Sequence, residues 1–117
     1  MELSSTQIGA ITVVTPKGRI DHAQAPLFQQ AMQTHVAACT SEGSPLLLDF
    51  SGVDYISSVG LRALMLIART VGAQKGKVAI AALQPTVREV FEISRFHLVL
   101  KVHDSVDAGV AALGAAA

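Results

Sequence analysis

The chain of 117 residues has one cysteine, no tryptophan, few aromatic residues (4%) and few charged residues (15%). A single cysteine excludes an internal disulfide, which is compatible with a reducing compartment. The scarcity of aromatic side chains argues against a large stacking platform for bases or sugars. The formal net charge is zero and the basic residues are dispersed, whereas a nucleic-acid interface needs a basic patch. We therefore expect no direct contact with nucleic acid.

The sequence also lacks an apolar run of the roughly 20 residues that a membrane-spanning helix requires. Residues 1–6 do not combine a basic region with an apolar segment, so they do not have the pattern of a signal peptide. We expect a soluble, cytoplasmic protein without membrane insertion. Half of the residues are apolar and the length suits one domain, so we expect residues 1–117 to form a single domain.

Hydrophobic periodicity predicts strands that alternate with helices. Helical spacing begins near Ala23, Ser58, Pro85 and Asp104, and Asp104 is the expected N-cap of the last helix. Short apolar runs predict strands at residues 8–14, 46–50, 78–83 and 98–102, with the last run as a third central strand. Such alternation implies parallel pairing with right-handed crossovers. The predicted fold class is α/β: a small mixed sheet of four to five strands, parallel at its centre, with an N-terminal strand pair at its edge and about four flanking helices.

Two serines, Ser57 and Ser58, lie where the strand at 46–50 and the segment after it lead into a helix predicted over 58–73. The first backbone N–H groups of a helix have no partner within the helix, and its dipole favours negative charge there. A serine at this point can cap the helix or carry a phosphate. The spacing leaves open which of the two serines is the cap.

Two further residues have both a structural and a functional interpretation. Asp21 precedes the first helix and is either a turn carboxylate or a polar partner at the same sheet edge as Ser58, where strand-to-helix loops collect. Leu66 lies between Arg62 and Arg69 on the outward face of the 58–73 helix. It is either a single exposed leucine or an apolar anchor, rimmed by basic residues, for a docking partner.

The sequence motifs that are typical of enzymes and cofactor sites are incomplete in this chain, each at an identifiable position. A nucleophile elbow needs glycine two residues before its serine, where Ile56 precedes Ser58. The segment 72–77 has three residues between its glycines where a phosphate loop has four, and valine follows its lysine. The histidines are not paired at ligand spacing, and Cys39 lies on an apolar helix stripe. We expect no enzymatic activity, no cofactor and no metal site.

Three segments carry a family resemblance: Gly18-Arg19-Ile20-Asp21, the run from Leu48 to Leu61, and the helix that contains Pro85, Val87 and Phe91. The chain resembles the STAS domains over nearly its whole length, and within them the single-domain anti-sigma factor antagonists. Such antagonists sequester an anti-sigma factor, often also a serine kinase, and so free the sigma factor. Phosphorylation of a serine at the start of the central helix breaks the complex, and a serine phosphatase resets it.

Alignment on Gly60 places the phosphorylated serine of the family at Ser58. Ser57 then stands at the family's aspartate position and Val59 at its small polar position. The segment Ser94-Arg95-Phe96 stands where many relatives have a glycine-leucine pair after the third helix. The resemblance and the predicted helix facing together give an expected partner-binding surface, which consists of Asp21, Ser57, Val59, Arg62 and Leu66.

An alternative role for the same fold is that of a cytoplasmic STAS subunit in a transporter complex. The partner would then be a transport ATPase, and Ser58 would not be modified. The sequence leaves both roles open.

Overall fold

A five-stranded mixed sheet lies at the centre of the computed structural model, which describes residues 1–115. The strands of the fold, in chain order, are β1 (Leu3–Ile8), β2 (Ile11–Pro16), β3 (Gly18–Ile20), β4 (Leu46–Asp49), β5 (Val53–Ile56), β6 (Val78–Ala81) and β7 (Lys101–His103). The spatial order in the main sheet is β1-β2-β4-β6-β7, and β3 and β5 form a separate two-stranded ribbon.

The N-terminal strand pair is a hairpin at one edge of the main sheet. β1 runs antiparallel to β2, and Ile8 faces Ile11 across a turn in which Gly9 has a φ of 60°. Glycine suits this turn because a side chain would strain a left-handed backbone. The pairs β2–β4, β4–β6 and β6–β7 are parallel. The predicted mixed sheet with an N-terminal strand pair at its edge is confirmed.

In the described part of the chain, four α-helices flank the sheet, as predicted: α1 (Ala25–Ala38), α2 (Ser58–Ala73), α3 (Pro85–Ile93) and α4 (Val106–Ala115). Strand β4 shows how two helical layers share the sheet, since alternate side chains of a strand point to opposite faces. Leu46 and Leu48 belong to the core that contains the buried residues of α1, α2 and α3. Leu47 belongs to the core beneath α4. A Cβ atom at Gly109 of α4 would lie 2.7 Å from Leu47 Cδ1, so glycine permits the close approach of this helix.

Helices α1 and α2 are also joined by a polar contact at their C-terminal ends. The Gln74 side-chain amide donates hydrogen bonds to the carbonyl oxygens of Val36 (2.9 Å) and Cys39 (3.0 Å). The carbonyls at the end of a helix lack the usual partner four residues on, so this side chain supplies donors where α1 ends. The contact holds α2 against α1 at the end opposite to Ser58.

Two predicted features near the C-terminus are wrong. The run 98–102 is not a third central strand, because residues Phe96–Leu98 form a 3-10 turn and β7 lies at the edge of the sheet. Asp104 is not the cap of the last helix. Its carboxylate instead pairs with Arg88 at 3.1 Å, and the Ser105 hydroxyl accepts the capping hydrogen bond from Ala108 N–H at 3.0 Å.

Candidate functional site

The start of α2 is held by the two-stranded β3–β5 ribbon. The backbone N–H of Ser57 donates to the carbonyl of Ile20, the last residue of β3, at 3.0 Å. A Cβ atom at Gly60 would lie 2.6 Å from the same carbonyl oxygen, so only glycine lets the first turn of α2 approach β3 this closely. The ribbon was not predicted from the sequence, and it fixes where the two serines lie.

The two serines have different roles in the structure. Ser57 is the N-cap: its hydroxyl accepts from Gly60 N–H at 3.2 Å and donates to the Ile20 carbonyl at 3.4 Å. Ser58 is the first helical residue, and its side chain is exposed. Its hydroxyl makes no hydrogen bond to any residue in the range 1–115. The alternative left open by the spacing is thus resolved, because Ser57 caps the helix and the Ser58 hydroxyl is free.

Asp21 follows β3 at the same end of the β3–β5 ribbon and has a structural role there. One carboxylate oxygen accepts from the backbone N–H groups of Ala23 (3.1 Å) and Gln24 (2.9 Å), which stabilises the turn that leads into α1. The other oxygen lies 3.8 Å from Arg19 Nε. Asp21 directly follows Ile20, whose carbonyl accepts from Ser57 N–H, so the turn that contains Asp21 adjoins the start of α2. Its half-buried side chain remains accessible from the solvent side.

The outward face of α2 presents a continuous surface beside Ser58. Val59 is 43% exposed and Leu66 is 37% exposed, and Arg62 and Arg69 lie on the same side of the helix. The predicted outward stripe of α2 therefore faces the solvent. Leu66 lies between the two arginines, and Val59 lies beside Ser58 at the start of the helix.

One contact within the β3–β5 ribbon was not predicted from the sequence. The Arg19 guanidinium lies 4.1 Å from the centroid of the Tyr55 ring, a cation–π contact between the strands of the ribbon. The two residues are partners in the β3–β5 register, and Tyr55 is 40% exposed. The sequence offers only a weak signal for this pair, since strands of three and four residues are too short for a clear alternation.

Within residues 1–115, no group of three or more His, Cys, Asp or Glu side chains could hold a metal ion. In the same range, no helix has both the length and the apolar character to span a bilayer. The arrangement around Ser58 consists of an exposed hydroxyl, exposed apolar side chains and exposed arginines.

The sequence pattern of the STAS domain family matches residues 2–109. The chain belongs to the STAS domain family. A relative in Bordetella bronchiseptica, named as an anti-sigma factor antagonist, BtrV, is 34% identical over 113 residues, which cover 96% of this chain and 94% of that protein. Within the family, the chain is thus similar to the anti-sigma factor antagonists.

Solved structures share the fold. An anti-sigma factor antagonist from Mycobacterium paratuberculosis has a TM-score of 0.82 at 24% identity, with 96% of this chain and 94% of that chain covered. The phosphorylated form of the Bacillus cell fate determinant SpoIIAA has a TM-score of 0.66 at 15% identity, with 93% and 96% covered. The murine anion transporter Slc26a9 has a TM-score of 0.82 at 19% identity, but only 18% of that chain is covered. At these sequence identities, the comparisons with solved structures show a shared fold and nothing further.

Proposed function

We propose that this chain is an anti-sigma factor antagonist in a partner-switching pathway, formed by one STAS domain over residues 1–117. The unphosphorylated form binds an anti-sigma factor that is also a serine kinase, and it thereby frees the sigma factor. The kinase transfers the terminal phosphoryl group of ATP to the Ser58 oxygen, the hydroxyl proton is released, and the complex separates. A serine phosphatase restores the free hydroxyl by hydrolysis. The chain is a binding module and a kinase substrate in this cycle, not an enzyme, and it acts in the cytoplasm.

The observation that carries this proposal is that Ser57 is the N-cap of α2 whereas Ser58 is exposed. Because Ser57 caps α2, the Ser58 hydroxyl is exposed and can reach a kinase without disturbing the fold. A phosphate at this position also lies at the positive end of the helix dipole, which stabilises it by about 0.3–1 kcal/mol. The domain should therefore stay folded when it is phosphorylated.

The same phosphate would disrupt a docked partner. It adds about −1.5 to −2 charge close to neutral pH. The expected docking residues, which are Asp21, Ser57, Val59, Arg62 and Leu66, lie around it or along the same helix. Desolvation and repulsion of a new charge at such an interface cost several kcal/mol, and each 1.4 kcal/mol or so is a factor of ten in affinity.

The test is a pull-down from the source cell with the wild type, Ser58→Ala and Ser58→Asp, with partners identified by mass spectrometry. A matched control is Ser41→Asp, which adds the same charge at an exposed serine in the loop after α1. We expect the wild type, Ser58→Ala and Ser41→Asp to capture an anti-sigma kinase, and Ser58→Asp to lose it. Capture of transporter subunits by all four forms would instead favour the role in a transporter complex.

A further inference from the structure

Ser58 and Arg62 lie four residues apart on the exposed face of α2, where side chains at this spacing are neighbours. Both residues line a shallow groove of about 480 Å³ between the start of α2 and the turn after α3. The other residues of the groove are uncharged: Val59, Leu61, Met65, Ser94 and Phe96. Among residues 1–115, Arg62 is thus the only charged side chain that lines the groove beside the Ser58 hydroxyl.

The Arg62 guanidinium has no counter-ion in the range 1–115, since the two salt bridges found there are Arg19–Asp21 and Arg88–Asp104. Helices α1 and α2 contain no aspartate or glutamate. The acidic residues of the neighbouring helix α3, Glu89 and Glu92, form no salt bridge with Arg62. The cation is therefore available both to a partner and to a new anion on its own helix.

We propose that a phosphate on Ser58 captures the Arg62 guanidinium and so withdraws it from a carboxylate of the anti-sigma factor. This inference rests on the proposed function and adds a mechanism by which phosphorylation of Ser58 weakens partner binding. A guanidinium binds phosphate oxygens through two parallel N–H···O bonds. An anion four residues before a cation is the favourable orientation on a helix. Release of the partner then follows from the loss of its cation as well as from the new negative charge.

Arg69 supplies a matched control on the same helix. It is exposed, belongs to the same outward stripe, and makes no salt bridge within the described part of the chain. It lies eleven residues after Ser58, about 16 Å along the helix axis, which is beyond the reach of the phosphate. Removal of its charge changes the field of the docking surface without touching the Ser58–Arg62 pair.

The direct test needs no partner. Phosphoserine is incorporated at position 58, and its second pKa, normally about 6, is measured by ³¹P NMR titration. We expect the pKa in the wild type to lie about half a unit below that in Arg62→Gln, because a paired cation favours the dianion. Arg69→Gln should match the wild type. Equal values for the wild type and Arg62→Gln would overturn the inference.

A second measurement addresses the consequence for binding. The dissociation constant for the captured kinase is measured for the wild type and Arg62→Gln, each with serine or phosphoserine at position 58. We expect Arg62→Gln to weaken the unphosphorylated complex about fivefold, and to reduce the effect of phosphorylation by about the same factor. An unchanged effect of phosphorylation would contradict the inference. A dissociation constant that does not change at all on phosphorylation would count against the proposed function. The ³¹P NMR titration alone would then decide whether the phosphate at position 58 pairs with Arg62.

Discussion

The Ser57 hydroxyl accepts a hydrogen bond from the Gly60 backbone N–H at 3.2 Å and so closes the first turn of α2. The same hydroxyl lies 3.4 Å from the Ile20 carbonyl, which also binds the Ser57 N–H. One side chain therefore caps the helix and joins it to the β3–β5 ribbon. The side chain of the next residue, Ser58, makes neither of these contacts.

This division predicts different stability effects for two adjacent alanine substitutions. Ser57→Ala should lower the free energy of unfolding by about 1 kcal/mol, because the Gly60 N–H loses its acceptor. Ser58→Ala should change it by no more than about 0.5 kcal/mol, as is usual for exposed positions. Urea denaturation followed by circular dichroism gives both values. Equal losses for the two variants would show that the cap is shared.

Gly60 should be intolerant of any side chain. A Cβ atom there would lie 2.6 Å from the Ile20 carbonyl oxygen and 2.8 Å from Ile56 Cγ1. We expect Gly60→Ala to destabilise the protein by about 1–3 kcal/mol through overpacking. The matched control is Gly72→Ala in the same helix, where the new methyl group would meet nothing within 4 Å. This change should stabilise by about 0.5–1 kcal/mol, so denaturation curves of the two variants should shift in opposite directions.

Leu66→Glu should raise the dissociation constant for the anti-sigma kinase captured in the pull-down by tenfold or more while leaving the fold intact. The side chain is 37% exposed on the outward face of α2, so a charge there is solvated in the free protein but desolvated under a partner. Ala73→Glu adds the same charge at the far end of the helix and should retain binding. Calorimetry measures the affinities, and circular dichroism reports the fold. An unfolded Leu66→Glu variant would contradict the facing of this helix.

Arg95, two residues after the end of α3, has a left-handed backbone with a φ of 57°. This conformation costs a side-chain-bearing residue about 1–2 kcal/mol, and glycine commonly occupies it. Arg95→Gly should therefore raise the free energy of unfolding by about 0.5–1 kcal/mol after the entropy of the unfolded chain is counted. Arg95→Ala, which keeps the strain, should give no comparable gain in thermal denaturation.

Helix α2 shows what the sequence could predict. Its bounds, Ser58–Ala73, and its outward stripe agree with the structure, because a sixteen-residue helix gives several turns of hydrophobic period. The inner stripe that the same period predicts consists of Leu61, Leu64, Ala68 and Val71, and it is confirmed only in part. Leu64 and Val71 are buried, whereas Leu61 and Ala68 are half-buried and Ile67 is buried as well.

Short segments escaped prediction for physical reasons. The strands of the β3–β5 ribbon have three and four residues, so periodicity cannot reveal them, and the Arg19–Tyr55 contact was missed with them. The run 98–102 is apolar like a buried strand, yet Leu98 is 73% exposed because the left-handed Arg95 turns the chain into a 3-10 turn. Ser57 and Ser58 are chemically identical candidates for the cap, and the contacts of Ser57 with Gly60 and Ile20 distinguish them only in the structure.

Cys39 should make the stability of the protein depend on pH in the alkaline range. Burial raises the pKa of its thiol, while hydrogen bonds to the backbone at Lys77 and Leu46 lower it by less. The thiol donates to the Lys77 carbonyl at 3.2 Å. Because the folded pKa is raised, the contribution of this group is fully present below its unfolded pKa, about 8.5. It is lost as the pH rises from there through the folded pKa, by at most about 1.4 kcal/mol per pH unit.

The comparison with Cys39→Ala isolates this group from other residues that titrate in the same range. The variant loses stability at neutral pH, since a buried side chain becomes smaller. We expect the stability difference between the wild type and Cys39→Ala, measured by urea denaturation at pH 7, 8.5 and 9.5, to be constant up to about pH 8 and to shrink above it. A difference that stays constant to pH 9.5 would mean that the thiol ionises equally well in the folded chain. Slow reaction of the folded protein with a thiol reagent, and fast reaction in urea, should accompany the expected result, because only the thiolate is nucleophilic.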